Sequence, residues 1–369
     1  MAHTSSFSDI GPAAAASGPA ARLPVGLLGA TGMVGQQFVA ALAHHPWFDL
    51  VWLGASRRSA GRPYGEAAHW LGEGEIPESV AEIEVSEALP GSDCPTLVFS
   101  AMDPKVAGEI ERNFAQAGRF VVSNSSNHRM EPDVPLLIPE INPDHLKLIP
   151  GQRRVRDWTG AIITNPNCST IGLALALAPL RPFGIESLVV TTMQALSGAG
   201  HPGVPSLDII GNIVPKIGSE EEKIGTETLK ILGEFGSDEI QPLRAAVSAH
   251  CNRVPVVDGH MLCVSVKLTS TPSPDEVCDA LCGFRGLPQE LGLPSAPAHP
   301  VRVTDAAARP QPRLDSWAGD GMAVSIGRVR RCPVLTTSFV ALVHNTVRGA
   351  AGASVLNAEL LRAERWLDA

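Results

Sequence analysis

The chain has 369 residues, 44% hydrophobic and 18% charged, which suits two domains of ordinary size with sizeable cores and excludes global disorder. Its 29 basic and 38 acidic residues leave a formal net charge of −9. That balance excludes nucleic acid as the main partner, since a phosphate backbone needs a basic footprint, but it leaves room for a local basic pocket holding a small phosphate. The seven cysteines (Cys94, Cys168, Cys251, Cys263, Cys278, Cys282 and Cys332) are odd in number and scattered, with no CxxC pair. Neither a zinc ribbon nor a disulfide framework is expected, no metal is called for, and a reducing cytoplasm fits best.

Residues 1–22 are rich in Ala, Ser, Gly and Pro and lack a charged segment followed by an apolar one, so they read as a disordered tail and not a signal peptide. No apolar run is long enough to span a bilayer uninterrupted, and no membrane partner is expected. Order begins near Leu23. Pro24 to Gly29 (PVGLLG) reads as a strand, and Thr31 to Ala43 as a helix with Val34, Phe38 and Leu42 at helical spacing. Leu50 to Leu53, Thr96 to Ser100 and Phe120 to Ser123 read as further strands, with a helix over Val106 to Ala117. Strands alternating with helices imply a parallel sheet with crossovers.

The character changes around Ile162 to Cys168, where the strand AIIT enters NPNC and a long apolar helix (TIGLALALAPL) leaves it. SLVVTTMQAL, MLCVSVKL and SFVALVH read as strands of a second sheet. The Pro-rich stretch from Leu287 to Arg313 reads as an extended surface excursion, and Ala350 to Trp366 as a helix. The fold class is therefore α/β: a Rossmann-type parallel sheet followed by a second α+β domain. The expected boundaries are 23–166 for the nucleotide-binding domain, with 348–369 returning to it, and 167–347 for the catalytic and oligomerisation domain.

Gly29 to Gly35 (GATGMVG) lies between the first strand and the first helix. Glycines at three-residue intervals allow a tight turn and close approach to a pyrophosphate, and the helix start offers unpaired N–H groups to the anion. NAD-binding loops usually carry an acid at the end of the second strand for the ribose hydroxyls. This chain has GASRRS there, and Ser56, Arg57 and Arg58 suit a 2′-phosphate. The expected cofactor is NADP; the bland reading is a solvated basic loop.

Cys168 stands at the mouth of the apolar helix, inside NPNCST. A helix N-terminus lowers a thiol pKa, and the thiolate is the useful nucleophile. Cys263, Cys278 and Cys282 read instead as structural core cysteines. His260 is the expected partner, a neutral imidazole able to take the thiol proton and return it. Arg253, one strand-length earlier, suits a two-point clamp on a carboxylate. His201, His250 and His344 remain open as alternatives.

GATGMVG, SNHRM, IPEIN, TNPNCST, QALSGAG, EEEK, CNRVPVVDGH, RPQPRLD and VHNTVRGAAG occur in this order. Together they resemble the aspartate-semialdehyde dehydrogenases, specifically the archaeal and fungal-like branch, from about Leu23 to the C-terminus. The resemblance implies that Cys168 accepts the acyl group and His260 is the acid/base. It implies that Arg253 and Glu220 bind the amino-acid part of the substrate and that Gln194 orients the acyl intermediate. Arg129, Asn167 and Lys223 would bind phosphate. Gly29, Thr31, Gly32, Met33, Val34, Ser56 and Arg57 would bind the cofactor, with Ser100, Ser197, Gly198 and Asn345 nearer its nicotinamide. As plain alternatives, EEEK is a helical charge run and Arg129 a surface arginine. Two features depart from the pattern: His201 stands where the resemblance leads one to expect Tyr, and the N-terminal tail is long.

The implied reaction is NADPH-dependent reductive dephosphorylation of L-aspartyl-4-phosphate to the semialdehyde through a Cys168 thioester. It belongs to synthesis of lysine, threonine and methionine, by a cytoplasmic homodimer or homotetramer. The rivals are a malonyl-CoA reductase or an N-acetyl-glutamyl-phosphate reductase of similar build, or a non-catalytic NADP-binding redox sensor. The sensor would need the glycine loop but not Cys168, His260 and Arg253 together.

Overall fold

The computed structural model describes residues 21–72 and 74–368. Most of the expected N-terminal tail therefore lies outside the described residues. Six strands form the first sheet: β1 (Leu23–Leu28), β2 (Phe48–Ala55), β3 (Val85–Glu87), β4 (Leu97–Ser100), β5 (Phe120–Ser123) and β6 (Ala161–Thr164). Their order is β3-β2-β1-β4-β5-β6, and every pairing is parallel. All four residues of β4, β5 and β6 are buried, as a sheet covered on both faces requires. The strand order reverses between β1 and β4, so the crevice for a ligand opens at their carboxyl ends. The glycine loop leaves β1 at that crevice. Gly29 has φ +75, and a Cβ there would sit 2.8 Å from the Ala101 carbonyl oxygen, so the loops after β1 and β4 press backbone to backbone.

The helix Pro104–Gln116 starts two residues before the expected one, because Asp103 caps it by accepting from the Lys105 N–H at 2.9 Å. The strand expected over Leu50 to Leu53 is longer, Phe48–Ala55, and the first helix shorter, Met33–Leu42.

The second sheet contains β7 (Ile185–Gln194), β10 (Ala246–Arg253), β11 (His260–Leu268), β12 (Val301–Thr304), β13 (Val324–Arg331) and β14 (Thr337–Val343), while β8 (Glu234–Gly236) and β9 (Glu239–Gln241) form a separate hairpin. The sheet order is β10-β7-β11-β14-β13-β12, parallel at both edges and antiparallel in the middle. Here the sequence reading needs correction, since the Pro-rich excursion contributes β12 to the sheet and a short helix, Leu287–Leu291. Its prolines flank the strand at the sheet edge, where a missing N–H costs no ladder bond.

The helix Cys168–Leu177 buries every residue from Ser169 to Leu177, because it lies inside the second sheet's core, with the helix Glu220–Ile231 and residues 347–351 packed against it. The helices Glu220–Ile231 and Pro274–Gly283 join it on one face of the second sheet. Among the described residues nothing covers the other face, and Val189 on β7 and Cys263 on β11 are exposed there. Cys263 is thus no core cysteine: Leu262, Val264 and Val266 alternate inward, which turns it out. Cys282 is likewise exposed and Cys278 half-buried, because their helix buries Val277 and Leu281 instead. The helix Gly352–Ala363 returns to the first core through Val355, Leu356, Leu360 and Leu361. A fully buried ion pair, Arg348 to Glu140 at 2.8 and 2.6 Å, ties the approach to this helix to the loop after β5.

Candidate active site

Three strand ends meet below the nucleophile helix. β10 runs parallel to β7, which sets Arg253 beside Gln194. β11 runs antiparallel to β7, and its first residue, His260, arrives at the same end. All three side chains are buried. Asn167 caps the helix, its Oδ1 accepting from the N–H groups of Ser169 at 2.9 Å and Thr170 at 3.2 Å. Cys168 is the first helical residue, and its Sγ lies 3.2 Å from His260 Nε2.

His260 Nδ1 accepts from the Ala195 N–H at 3.1 Å. In a neutral imidazole that bond puts the ring hydrogen on Nε2, facing the sulfur. Taking the thiol proton needs the opposite tautomer, so the geometry makes His260 first a donor to sulfur. Burial pushes the His260 pKa down to about 3, helped by Arg253 and His344. The Cys168 thiol departs from the sequence expectation. Burial and then Glu220 push it up to about 12, outweighing the lowering by Arg129 and Arg253. Both shifts favour the neutral forms, a thiol beside an imidazole.

Arg253 Nη1 donates to the Ala195 carbonyl at 2.6 Å, and no carboxylate pairs with it among the described residues. Gly198 is exposed and lies against both groups; a Cβ there would sit 2.9 Å from Arg253 Nη1 and 3.0 Å from His260 Cε1. Glu220 Oε2 accepts from Asn167 Nδ2 at 2.7 Å and from Gln194 Nε2 at 3.4 Å, and Oε1 accepts from Lys223 Nζ at 3.1 Å. EEEK is therefore more than a solvated charge run.

Arg129 is buried, at 6% exposure, and is no ordinary surface arginine. Its Nη1 donates to Glu227 Oε1 at 3.0 Å and its Nη2 to the Asn124 carbonyl at 2.7 Å, while its buried Nε has no partner among the described residues. Glu227 Oε2 accepts from the Asn167 backbone N–H at 2.7 Å. Sequence reasoning missed Glu227 and Lys230. Their signal was present, since Glu220, Lys223, Glu227 and Lys230 recur at helical spacing on one face.

At the other crevice, a Cβ on Gly35 would sit 2.2 Å from the Gly29 carbonyl oxygen, so the loop is drawn tight. Thr31, Gly32, Met33 and Val34 lie at the start of the helix Met33–Leu42, which has no side-chain cap on its first N–H groups. The Arg57 side chain is 86% exposed and pairs with Glu87 at 3.2 Å. Ser56 and Arg57 line a groove of about 660 Å³ with Glu87, Leu89, Lys105 and Asn113. Ser100 is buried and donates to Glu111 at 2.6 Å. Asn345 bridges the domain's loops, donating to Ser197 Oγ at 2.7 Å and accepting from the Gly259 N–H at 2.8 Å. His201 is exposed and faces His69, with ring centroids 6.0 Å apart.

Residues 24–149 match the NAD binding domain of the semialdehyde dehydrogenases, and residues 177–348 match their dimerisation domain. The chain is 53% identical to an aspartate-semialdehyde dehydrogenase of Methanothermobacter thermautotrophicus over 91% of this chain and 98% of that one. It is 49% identical to the Schizosaccharomyces pombe enzyme of that name over 91% and 97%. Among solved structures, aspartate semialdehyde dehydrogenase with NADP from Candida albicans superposes with TM-score 0.87 at 43% identity, over 94% of this chain and 99% of that one.

Proposed function

We propose a reaction for this chain on a plain premise: it belongs to the aspartate-semialdehyde dehydrogenase family. The reaction is the reductive dephosphorylation of L-aspartyl-4-phosphate to L-aspartate 4-semialdehyde with NADPH, within amino-acid biosynthesis. The observation that carries it is Cys168 at a capped helix mouth, 3.2 Å from His260 Nε2.

Arg253 offers its guanidinium to the substrate α-carboxylate, and Glu220 faces the α-amino group. Arg129 and Lys223 receive the phosphate, each as a cation able to make charge-assisted bonds to its oxygens. The side chain of Asn167, spent on the helix cap and Glu220, orients the nucleophile's turn as well. His260 Nε2–H steadies the sulfur as it becomes a thiolate. The C–S bond forms, the acyl C–O bond breaks, and the thiol proton leaves on the phosphate. Gln194 holds the resulting thioester, whose carbonyl accepts hydride more readily than a carboxylate would.

The chain fits the dinucleotide. Gly29, Thr31, Gly32, Met33 and Val34 form a tight loop before uncapped helix amides, and Ser56 and Arg57 suit a 2′-phosphate. NADPH, when bound, supplies the hydride that reduces the thioester carbonyl. Ser100, Ser197, Gly198 and Asn345 are the residues that would stand toward its nicotinamide end. His260 Nε2–H would protonate the resulting oxyanion; on collapse that proton returns to His260 as the C=O bond re-forms, the C–S bond breaks, and the Cys168 thiolate takes a proton from solvent.

In this reading 23–166 with 348–369 is the cofactor unit and 167–347 the catalytic one. The uncovered face of the second sheet, within the matched dimerisation domain, supports a homodimer or a homotetramer built from it. The seven free thiols support a cytoplasmic location. The rival acyl reductases share the nucleophile but have less use for Glu220 beside Arg253. The test is phosphate-dependent reduction of NADP with a panel of aldehydes, for wild type and Cys168→Ser. Aspartate semialdehyde should be preferred, and the serine variant should lose about a thousandfold or more while still binding NADP. Near-normal activity in Cys168→Ser overturns the covalent route.

A further inference from the structure

We infer that Glu227 is a positioning residue of this reaction, one buried carboxylate that fixes the phosphate-binding arginine and the nucleophile's turn in a single frame. The inference rests on the reading that Arg129 receives the phosphate. Glu227 is 2% exposed and spends both oxygens: Oε1 on Arg129 Nη1 at 3.0 Å, and Oε2 on the Asn167 backbone N–H at 2.7 Å. Arg129 comes from the loop after β5, in the first sheet's layer. Asn167 begins the second domain's central helix. Glu227 bridges the two directly.

A guanidinium has five donors in a fixed plane, so fixing two positions decides which edge remains. With Nη1 on Glu227 and Nη2 on the Asn124 carbonyl, the plane of the guanidinium is fixed, and the buried Nε has no partner among the described residues. Glu227 thereby sets the orientation in which Arg129 stands toward an incoming anion. It also keeps a buried cation paired while no phosphate is present, since an unpaired buried charge is costly.

One turn on, Lys230 completes the frame. Its Nζ donates to the carbonyls of Arg129 at 2.8 Å, Glu131 at 2.8 Å and Val134 at 2.9 Å, which uses all three ammonium donors. Lys230 holds the backbone of the Arg129 loop, and Glu227 holds its side chain. Both stand on the helix face that carries Glu220 and Lys223 toward the reacting cysteine. A shift of this helix moves the phosphate donors and the nucleophile's cap together.

The experiment is phosphate-dependent oxidation of aspartate semialdehyde by NADP with the full chain, comparing Glu227→Gln, Arg129→Ala and the double variant. A glutamine in the same pose has one acceptor oxygen where Glu227 uses two, so its NH2 end would face one of the two donors. Glu227→Gln should raise the KM for inorganic phosphate about tenfold or more, with the KM for NADP within about twofold of wild type. In the Arg129→Ala background it should add little, because coupled residues are not additive. An unchanged phosphate KM in Glu227→Gln, with Arg129→Ala raising it, overturns the inference alone. So does a Glu227→Gln defect that multiplies in full onto Arg129→Ala. An unchanged phosphate KM in Arg129→Ala overturns the phosphate reading and this inference with it. If Glu227→Gln melts before it can be assayed, Glu227→Asp keeps the charge but draws the carboxylate back by one methylene, out of reach of both partners. The same phosphate-specific shift is then expected, and its absence overturns the inference.

Discussion

Replacing Gly198 by alanine is the smallest change that reaches both Arg253 and His260. The added Cβ would lie 2.9 Å from Arg253 Nη1, 3.0 Å from His260 Cε1 and 3.1 Å from His260 Nε2. Non-bonded carbon contacts settle near ~3.5 to 4.0 Å, so these groups must yield by roughly half an ångström. The yielding falls on the contact between His260 Nε2 and Cys168 Sγ, now 3.2 Å. Misplacement by about 1 Å costs on the order of a hundredfold in rate, so half of that costs at least about tenfold. The expected loss in kcat/KM is about 10- to 100-fold, or roughly 1.4 to 2.8 kcal/mol. Gly198 is exposed, and its backbone is outside the left-handed region, so alanine adds no backbone strain. The smaller freedom of the unfolded chain, worth about 0.4 to 1 kcal/mol, offsets part of the cost of that crowding. Initial rates of semialdehyde oxidation, with saturating NADP, beside thermal melts, separate the two effects. The loss should sit in kcat, with Tm little changed. Activity within twofold of wild type would refute the packing argument, and a Tm drop in step with activity would refute its locality.

Arg253→Lys should lower efficiency with aspartate semialdehyde about tenfold to a thousandfold, because an ammonium makes only a point contact with a carboxylate. Arg253 bonds to the Ala195 carbonyl and to no carboxylate among the described residues, so Tm should change little; intact kinetics would remove it from the substrate site. Alkylation of Cys168, followed by peptide mass spectrometry, should rise about tenfold per pH unit from pH 6 to 9, since its pKa is pushed up to about 12 and the thiolate fraction grows throughout. Cys332, lowered to about 7 by hydrogen bonds led by that of Ser338, should react first near neutrality and level off above pH 8. A plateau for Cys168 below pH 7 would mean a resting thiolate–imidazolium pair. Arg57→Ala should reduce the preference for NADP over NAD in kcat/KM, and equal efficiencies in the wild type would sink the 2′-phosphate assignment.

The first domain was legible because its rules are local. Apolar runs such as FVVS and AIIT are what a strand buried on both faces needs, and the glycines of GATGMVG answer to a turn within seven residues. Arg253 and His260 were also within reach, because seven residues span a strand end, a turn and a strand start. The outward turn of Cys263 was readable too, from the inward Leu262, Val264 and Val266. The edge strand Val301–Thr304 was hidden among prolines, and its four residues carry no period long enough to stand out.

The chemistry of the site depended on contacts no local pattern encodes. Glu227 meets partners 98 and 60 residues away, and the Ala195 N–H that sets the His260 tautomer comes from 65 residues away. The Cys168 pKa shows the same division. From sequence, its helix N-terminus argues for a lowered value, a short-range effect that any chain segment can carry. Whether that effect prevails depends on how much water the folded surroundings remove and which charges they bring near. The sequence by itself determined that a cysteine sits at a helix mouth; only the packed domains, by bringing His260 and Glu220 to that thiol and removing water from it, decided that its pKa is pushed up and not down.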